Sequence, residues 1–205
     1  MNIIIHAEEA ARHIQKLLTP GKRMMLGITG IPGSGKSTLA GRLEACLPAR
    51  TVPMDGFHLS NNELRHRGLT ARKGSPETFD VKGFLACLET LKSSPHRTVF
   101  CPGYCRSLHE PVADQIEVTP EHQVIIVEGN YLLLHEGLWV HVREHLDMVC
   151  YLDTPIETAI KRVALRHQLK NISQEEIAQK IQNTDIPNAR LIEQTRYRAD
   201  WIIMD

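Results

Sequence analysis

The sequence has no surplus of charge of either sign: 24 Lys and Arg stand against 24 Asp and Glu, for a formal net charge of zero. Without a global positive field there is no polyanion-binding signature, so a nucleic-acid role would need a local basic patch. Long apolar runs are also missing. The N-terminal run is only Ile3 to Ile5 before Glu8 and Glu9, and the later stretch VIIVEGNYLLL is broken by Glu128, Gly129 and Asn130. Neither reads as a signal peptide or a membrane span, and a cytoplasmic protein is expected. Cysteine is scarce: five residues, an odd number, without the spacing of a disulfide framework. Cys101 and Cys105 flank the Pro-Gly of CPGYC, but no further ligands group nearby, so free thiols are expected there. The 11 histidines form no HExxH or paired-ligand pattern, so no structural metal is expected. There is no internal repeat and no low-complexity segment.

What is present suits one ordinary globular domain. The chain has 205 residues, 42% hydrophobic and 23% charged, enough to bury a core of its own. Apolar residues at helical spacing over 6–18 predict a helix ended by Thr19-Pro20-Gly21. MMLGIT, RTVPM, TVFCP, QVIIVEG, LDMVCYLD and WIIMD read as strands, and 103–119 as irregular chain ending in a short hairpin. QVIIVEG is a continuous branched run of the kind parallel sheets bury on both faces. Helices are expected at Ser37 to Leu47 and after Asp80, a candidate N-cap. Thr154-Pro155-Ile156-Glu157 and Ser173-Gln174-Glu175-Glu176 read as capping boxes. Strands alternating with helices predict a three-layer α/β domain with a mostly parallel sheet.

The string GITGIPGSGKST contains Gly30-x4-Gly35-Lys36-Ser37, a complete P-loop pattern between an apolar strand and an amphipathic helix. Glycines let the backbone turn its N–H groups onto phosphate oxygens, and the helix adds its positive N-terminus. Gly30, Ile31, Pro32, Gly33, Ser34, Gly35, Lys36, Ser37 and Thr38 are therefore the expected ATP-binding residues. Lys36 reaches the β- and γ-phosphates, and the Ser37 hydroxyl is a natural Mg²⁺ ligand. The guanine-reading Asn-Lys-x-Asp string is absent.

The stretch TVPMDGFHLS then poses a choice. Asp55-Gly56 is a common turn pair. It also places a carboxylate at the end of a strand, where ligands of open α/β sheets bind. Beside a triphosphate, that carboxylate can take the proton of an attacking hydroxyl. Glu128, at the end of VIIVE, should emerge at the same edge and is assigned to Mg²⁺, directly or through water, or to the substrate. Phe57 is expected in the core. Arg162 and Arg166, at i and i+4, share a helix face; with Lys161 and Lys170 nearby, a solvated basic face is the alternative.

The strings GITGIPGSGKST, PMDGFHLSNNELRHRGLTARKGSPETFD, VEGNYLLL and NTDIPNARLI, between residues 27 and 192, are similar to those of the uridine kinase, phosphoribulokinase and pantothenate kinase superfamily. Within it, the nearest resemblance is to bacterial proteins named as fructose transport system kinases. The resemblance implies a P-loop NTPase fold, with a five-stranded parallel sheet flanked by helices, the P-loop after its central strand, and a helical lid. It implies one domain over 1–205 whose covering segments are about 56–80, 103–119 and 155–185. It makes Asp55 the catalytic carboxylate, with Lys36, and makes Arg162 and Arg166 lid arginines. Relatives carry Arg-Asp where this chain has Arg166-His167. Over the acceptor the resemblance places His58, Arg65 and Lys73, and Tyr104, Arg106 and His109; Asn183 and Asn188 face the nucleotide or the substrate, or cap their helix. The implied activity is transfer of the γ-phosphoryl of ATP, with Mg²⁺, to a hydroxyl of a sugar, nucleoside or pantothenate-like metabolite. The alternative is an ATP-binding regulatory or transport-associated module with slow hydrolysis. The expected partner is a small-molecule acceptor, with no nucleic acid and no membrane insertion; a homodimer is left open.

Overall fold

The computed structural model of the protein describes residues 3–168 and 173–204. Strand β1 (Ile3–His6) leads into helix α1 (Ala7–Leu17), and β2 (Met24–Thr29) passes through a glycine-rich loop into α2 (Lys36–Cys46). Strand β3 (Ala49–Pro53) ends in a 3-10 turn, Met54–Phe57, followed by α3 (Asn61–His66) and α4 (Val81–Ser93). Strands β4 (Val99–Cys105) and β5 (Glu110–Val118) form a hairpin, followed by β6 (Val124–Glu128), β7 (Met148–Asp153) and α5 (Ile156–Gln168). Helix α6 (Gln174–Lys180) continues through a π-helical turn, Ile181–Asp185, into α7 (Ile186–Glu193), and β8 (Trp201–Met204) follows.

Six strands make one parallel sheet in the order β1-β8-β7-β2-β6-β3. The expected five-stranded core is β8-β7-β2-β6-β3, with the P-loop strand β2 at its centre. The sixth strand corrects that count. Ile4 lies opposite Ile202 and Ile5 opposite Ile203, so a run too short to show a period becomes a strand by pairing with the edge of β8. A second correction concerns TVFCP. It does not join the sheet but pairs antiparallel with β5, in a ladder whose register shifts between Cys101 and Gly103.

Alternation along the central strands feeds two cores. Met25, Ile125 and Val127 face Phe84, Leu88, Trp139 and Ile192; Leu26, Ile28, Val124 and Ile126 face Ile14, Leu39 and Leu43. The branched strands are buried on both sides, as their composition required. Fully burying a side chain such as Phe84 contributes roughly 1.5–3 kcal/mol. Asp80 caps α4 by accepting from the Gly83 amide (3.0 Å), and Ser173 and Glu176 form the reciprocal capping box of α6. At the sheet end away from the P-loop, the Arg23 guanidinium donates to the carbonyls of Leu91, Ser94, Pro95, Thr119 and His122, at 2.9–3.4 Å. That one side chain ties the end of α4 to the β5–β6 connection. No described helix is long and apolar enough to cross a membrane.

Candidate active site

The P-loop leaves β2 at Thr29 and delivers the chain to α2 through Gly35, whose φ of 100° and ψ of 13° are left-handed. Gly33 is also left-handed (φ 84°), and a Cβ there would lie 2.3 Å from the Ala159 carbonyl, so α5 packs directly on the loop. The Thr154 hydroxyl, donating to the Ser34 carbonyl at 3.1 Å, reinforces that contact. Lys36 is buried, and its ammonium donates to the Gly30 and Ile31 carbonyls, each at 2.9 Å. Burial pulls its pKa down to about 8, against the pull of the Glu128 and Asp55 carboxylates, while Arg166 adds to the lowering.

Strands β3 and β6 run in register with Pro53 opposite Glu128, which brings Asp55 and Glu128 to one sheet edge. Asp55 belongs to the 3-10 turn just past the strand, and each residue of Asp-Gly-Phe has a distinct task. The Asp55 side chain is 46% exposed toward the cleft. A Cβ on Gly56 would lie 2.3 Å from the Pro102 carbonyl, so only glycine lets the hairpin rest there. Phe57 anchors the turn in the core, its ring 4.9 Å from that of Phe84. Next, His58 Nδ1 lies 2.9 Å from the Asp55 backbone carbonyl, and its ring is 4.0 Å from Phe79 and 4.9 Å from Tyr104. Burial lowers the His58 pKa despite Asp55. The neutral ring donates from Nδ1, since a carbonyl only accepts, and Nε2 is left as an acceptor.

Burial also raises the pKa of Glu128, opposed chiefly by Lys36. The Ser37 hydroxyl donates to Glu128 Oε1 at 3.1 Å. A cavity of about 90 Å³ at this edge is lined by Lys36, Ser37, Asp55, Glu128 and Arg166, together with Arg106 and Asn130. The geometry holds a P-loop lysine, two carboxylates and two arginines around one small space.

The model of the phosphoribulokinase / uridine kinase family matches residues 25–204. The chain belongs to this family. As a member, it is a small-molecule kinase. It is 31% identical over 209 residues to "Putative uridine kinase C227.14" of Schizosaccharomyces pombe, covering 96% of this chain and 89% of that protein. The pantothenate kinase of Levilactobacillus brevis is 32% identical over 166 residues, 73% of this chain but 54% of that longer protein. Among solved structures, the "putative fructose transport system kinase" of Silicibacter sp. TM1040 superposes with a TM-score of 0.89 at 36% identity, covering 97% of this chain and 98% of that one.

In this kinase the two expected lid arginines both reach the loop region. Arg166 lines the cavity, and Arg162 Nη1 lies 3.4 Å from the Ser34 carbonyl. The departure at His167 has a partner: its Nε2 lies 3.0 Å from Asp185 Oδ2, both side chains buried, so α5 is pinned to the π-turn. Of the covering segment 155–185, residues 169–172, Lys170 among them, lie outside the described residues.

The acceptor candidates divide. His58, Tyr104 and Arg106 gather beside Asp55. Burial, with help from Asp55 and Glu110, pushes the Tyr104 phenol up to about 12. Lys73 is a brace: its ammonium donates to Asn61 Oδ1 (2.6 Å) and the His109 carbonyl, and lies 5.7 Å from the Tyr104 ring centroid. His109 contributes that carbonyl from an exposed turn with φ of 54°. Arg65 is exposed on α3 and Asn183 is exposed on the π-turn; neither lines the cavity. Asn188 is buried, and its Nδ2 donates to the Gly74 carbonyl at 3.2 Å, where the Tyr131 hydroxyl also donates at 2.6 Å. Sequence reasoning missed Asn130 as a cavity-lining group and Tyr131 as a brace of the covering segment. The available signal was their place directly after Glu128-Gly129, where a strand end enters the cleft. Gly129 itself is required because a Cβ would meet the Met54 side chain at 2.6 Å.

Proposed function

We propose that the protein transfers the γ-phosphoryl group of ATP to a hydroxyl of a small metabolite, with Asp55 accepting the hydroxyl proton. The observation that carries this reading is the convergence of Lys36, Asp55, Glu128 and Arg166 on one cavity at the sheet edge. The acceptor oxygen forms its bond to the γ-phosphorus as the bridge to the β-phosphate breaks. The proton passes to Asp55, and ADP leaves with the bridging oxygen. Lys36 moves from its loop carbonyls to the β- and γ-oxygens, exchanging weak acceptors for charged ones. The hydroxyl of Ser37 and the carboxylate of Glu128, 3.1 Å apart, are hard oxygen donors and fit Mg²⁺, with substrate oxygens and water completing the set. An ion held there would supply positive charge to the phosphate oxygens. Arg162 and Arg166 supply the lid's cations.

On the acceptor side, His58 Nε2 offers an acceptor and Tyr104 a hydroxyl, a pairing suited to a polyhydroxylated metabolite. Relatives named for uridine, pantothenate and fructose transport support sugars, nucleosides and pantothenate-like alcohols as the classes to test. In this reading the protein works in the cytoplasm, where ATP is supplied. The test is ADP release from Mg-ATP with fructose and other sugars, nucleosides or pantothenate added singly. One acceptor raising turnover at least tenfold above the water rate supports the kinase; ATP bound with only slow, acceptor-independent hydrolysis favours a regulatory module.

A further inference from the structure

Arg106 begins the four-residue turn 106–109 that joins β4 to β5, a segment expected to cover the acceptor. Its side chain nevertheless lines the same cavity as Lys36, Asp55, Glu128 and Arg166. Of the three cations there, Lys36 donates to loop carbonyls, whereas Arg106 and Arg166 have no hydrogen-bond or ion-pair partner among the described residues. They approach from different elements, the hairpin turn and the lid helix α5. Two carboxylates face three cations, so the cavity has positive charge to spare. A guanidinium with its donors uncommitted, in a cavity against a P-loop, suits phosphate oxygens better than a neutral hydroxyl.

The turn that carries Arg106 is held in place. Lys73 donates to the His109 carbonyl and to Asn61, and the Asn61 amide donates to Glu110 Oε1 at 2.8 Å. At the hairpin's root, Pro102 rests on Gly56, next to Asp55.

We propose that Arg106 donates to the γ-phosphoryl oxygens from the acceptor side, opposite Arg166. The proposal rests on reading the cavity as the phosphoryl-transfer site. It moves Arg106 from an acceptor contact to a group that meets charge on the equatorial oxygens while the acceptor–phosphorus bond forms and the bridge to ADP breaks. One hairpin then touches both reactants: Tyr104 on the acceptor side and Arg106 on the phosphoryl group.

The test needs no acceptor. Dissociation constants of AMP-PNP and ADP, with Mg²⁺, are measured for the wild type, Arg106→Met, Arg106→Lys and, as a control in the same exposed turn, Leu108→Ala. Arg106→Met should weaken AMP-PNP about tenfold, as expected for one lost charge-assisted hydrogen bond in a hydrated cleft, and leave ADP within about twofold. Arg106→Lys should recover part of the loss, and Leu108→Ala should change neither nucleotide. Equal weakening of both nucleotides by Arg106→Met, or no change in either, overturns the proposal while leaving the kinase reading intact. A wild-type protein that binds neither nucleotide overturns both.

Discussion

Replacing Asp55 by Asn keeps the shape of the turn that carries it and removes the proposed proton acceptor. The side chain is nearly half exposed and supports no buried network, while the turn is held by Phe57 in the core and by Pro102 on Gly56. Stability should therefore change by less than about 0.5 kcal/mol, as for surface substitutions. The catalytic loss should be large. General-base assistance contributes about 10²–10⁴-fold, and kcat should fall by that factor with the best acceptor. ATP affinity should hold or tighten slightly, because removing Asp55 takes a negative charge away from the incoming phosphates. The same substitution removes a charge that supports protonated Lys36 and raises the pKa of Glu128, so both should titrate lower than in the wild type. Steady-state kinetics and nucleotide titration on one preparation separate these effects. A kcat within about threefold of wild type, with the fold intact, would refute the assignment of Asp55 as proton acceptor.

Three further outcomes are expected. Lys36 titrates near 8 before nucleotide arrives, so ATP affinity should be flat below that pH and weaken as pH rises through it, by up to about tenfold per unit, because the cation that meets the phosphates is being lost. Lys36→Arg should flatten the profile; a wild-type affinity constant from pH 7 to 9.5 contradicts the buried-lysine reading. Tyr131→Phe removes one of two donors to the Gly74 carbonyl and should cost about 1 kcal/mol, with faster proteolysis within 61–80; unchanged cleavage shows that the hydroxyl does not hold that segment. Arg23→Lys keeps the charge but reduces five possible donors to three, and should lower stability by about 1–3 kcal/mol at constant m-value in urea, an outcome that unchanged midpoints would exclude.

The parts of the site visible in sequence were those whose chemistry is local. The glycines and Lys36 of the P-loop announce a phosphate cradle within eight residues, and VIIVE announces a strand buried on both faces. Asp55 needed one further step, the recognition that two strand ends share an edge. Long-range pairings were not legible. TVFCP has strand propensity, but nothing local says that its partner is β5 rather than the sheet, and Ile3–His6 is a strand only because β8 lies beside it. Lys73 is a polar residue in a covering segment and Asn188 one just beyond another, which made substrate contacts a natural expectation. Their bonds to Asn61, the His109 carbonyl and the Gly74 carbonyl join segments far apart in the chain. His167 looked like a defect in a motif until the fold supplied Asp185.

The contact between Gly56 and Pro102 sets a rule for redesign. The height of the Asp55 carboxylate above the sheet is shimmed by a carbonyl from the hairpin's root, with no room for even a methyl group between Gly56 and Pro102. The turn at 106–109 is exposed and, with Arg106 kept, can be exchanged for that of another kinase to change which acceptor is read. The root cannot, because the register shift at Cys101 to Gly103 fixes where Pro102 lands. A graft cut beyond Gly103 carries new selectivity onto an undisturbed catalytic turn. A graft that replaced Pro102 would reposition Asp55 together with the pocket it was meant to serve.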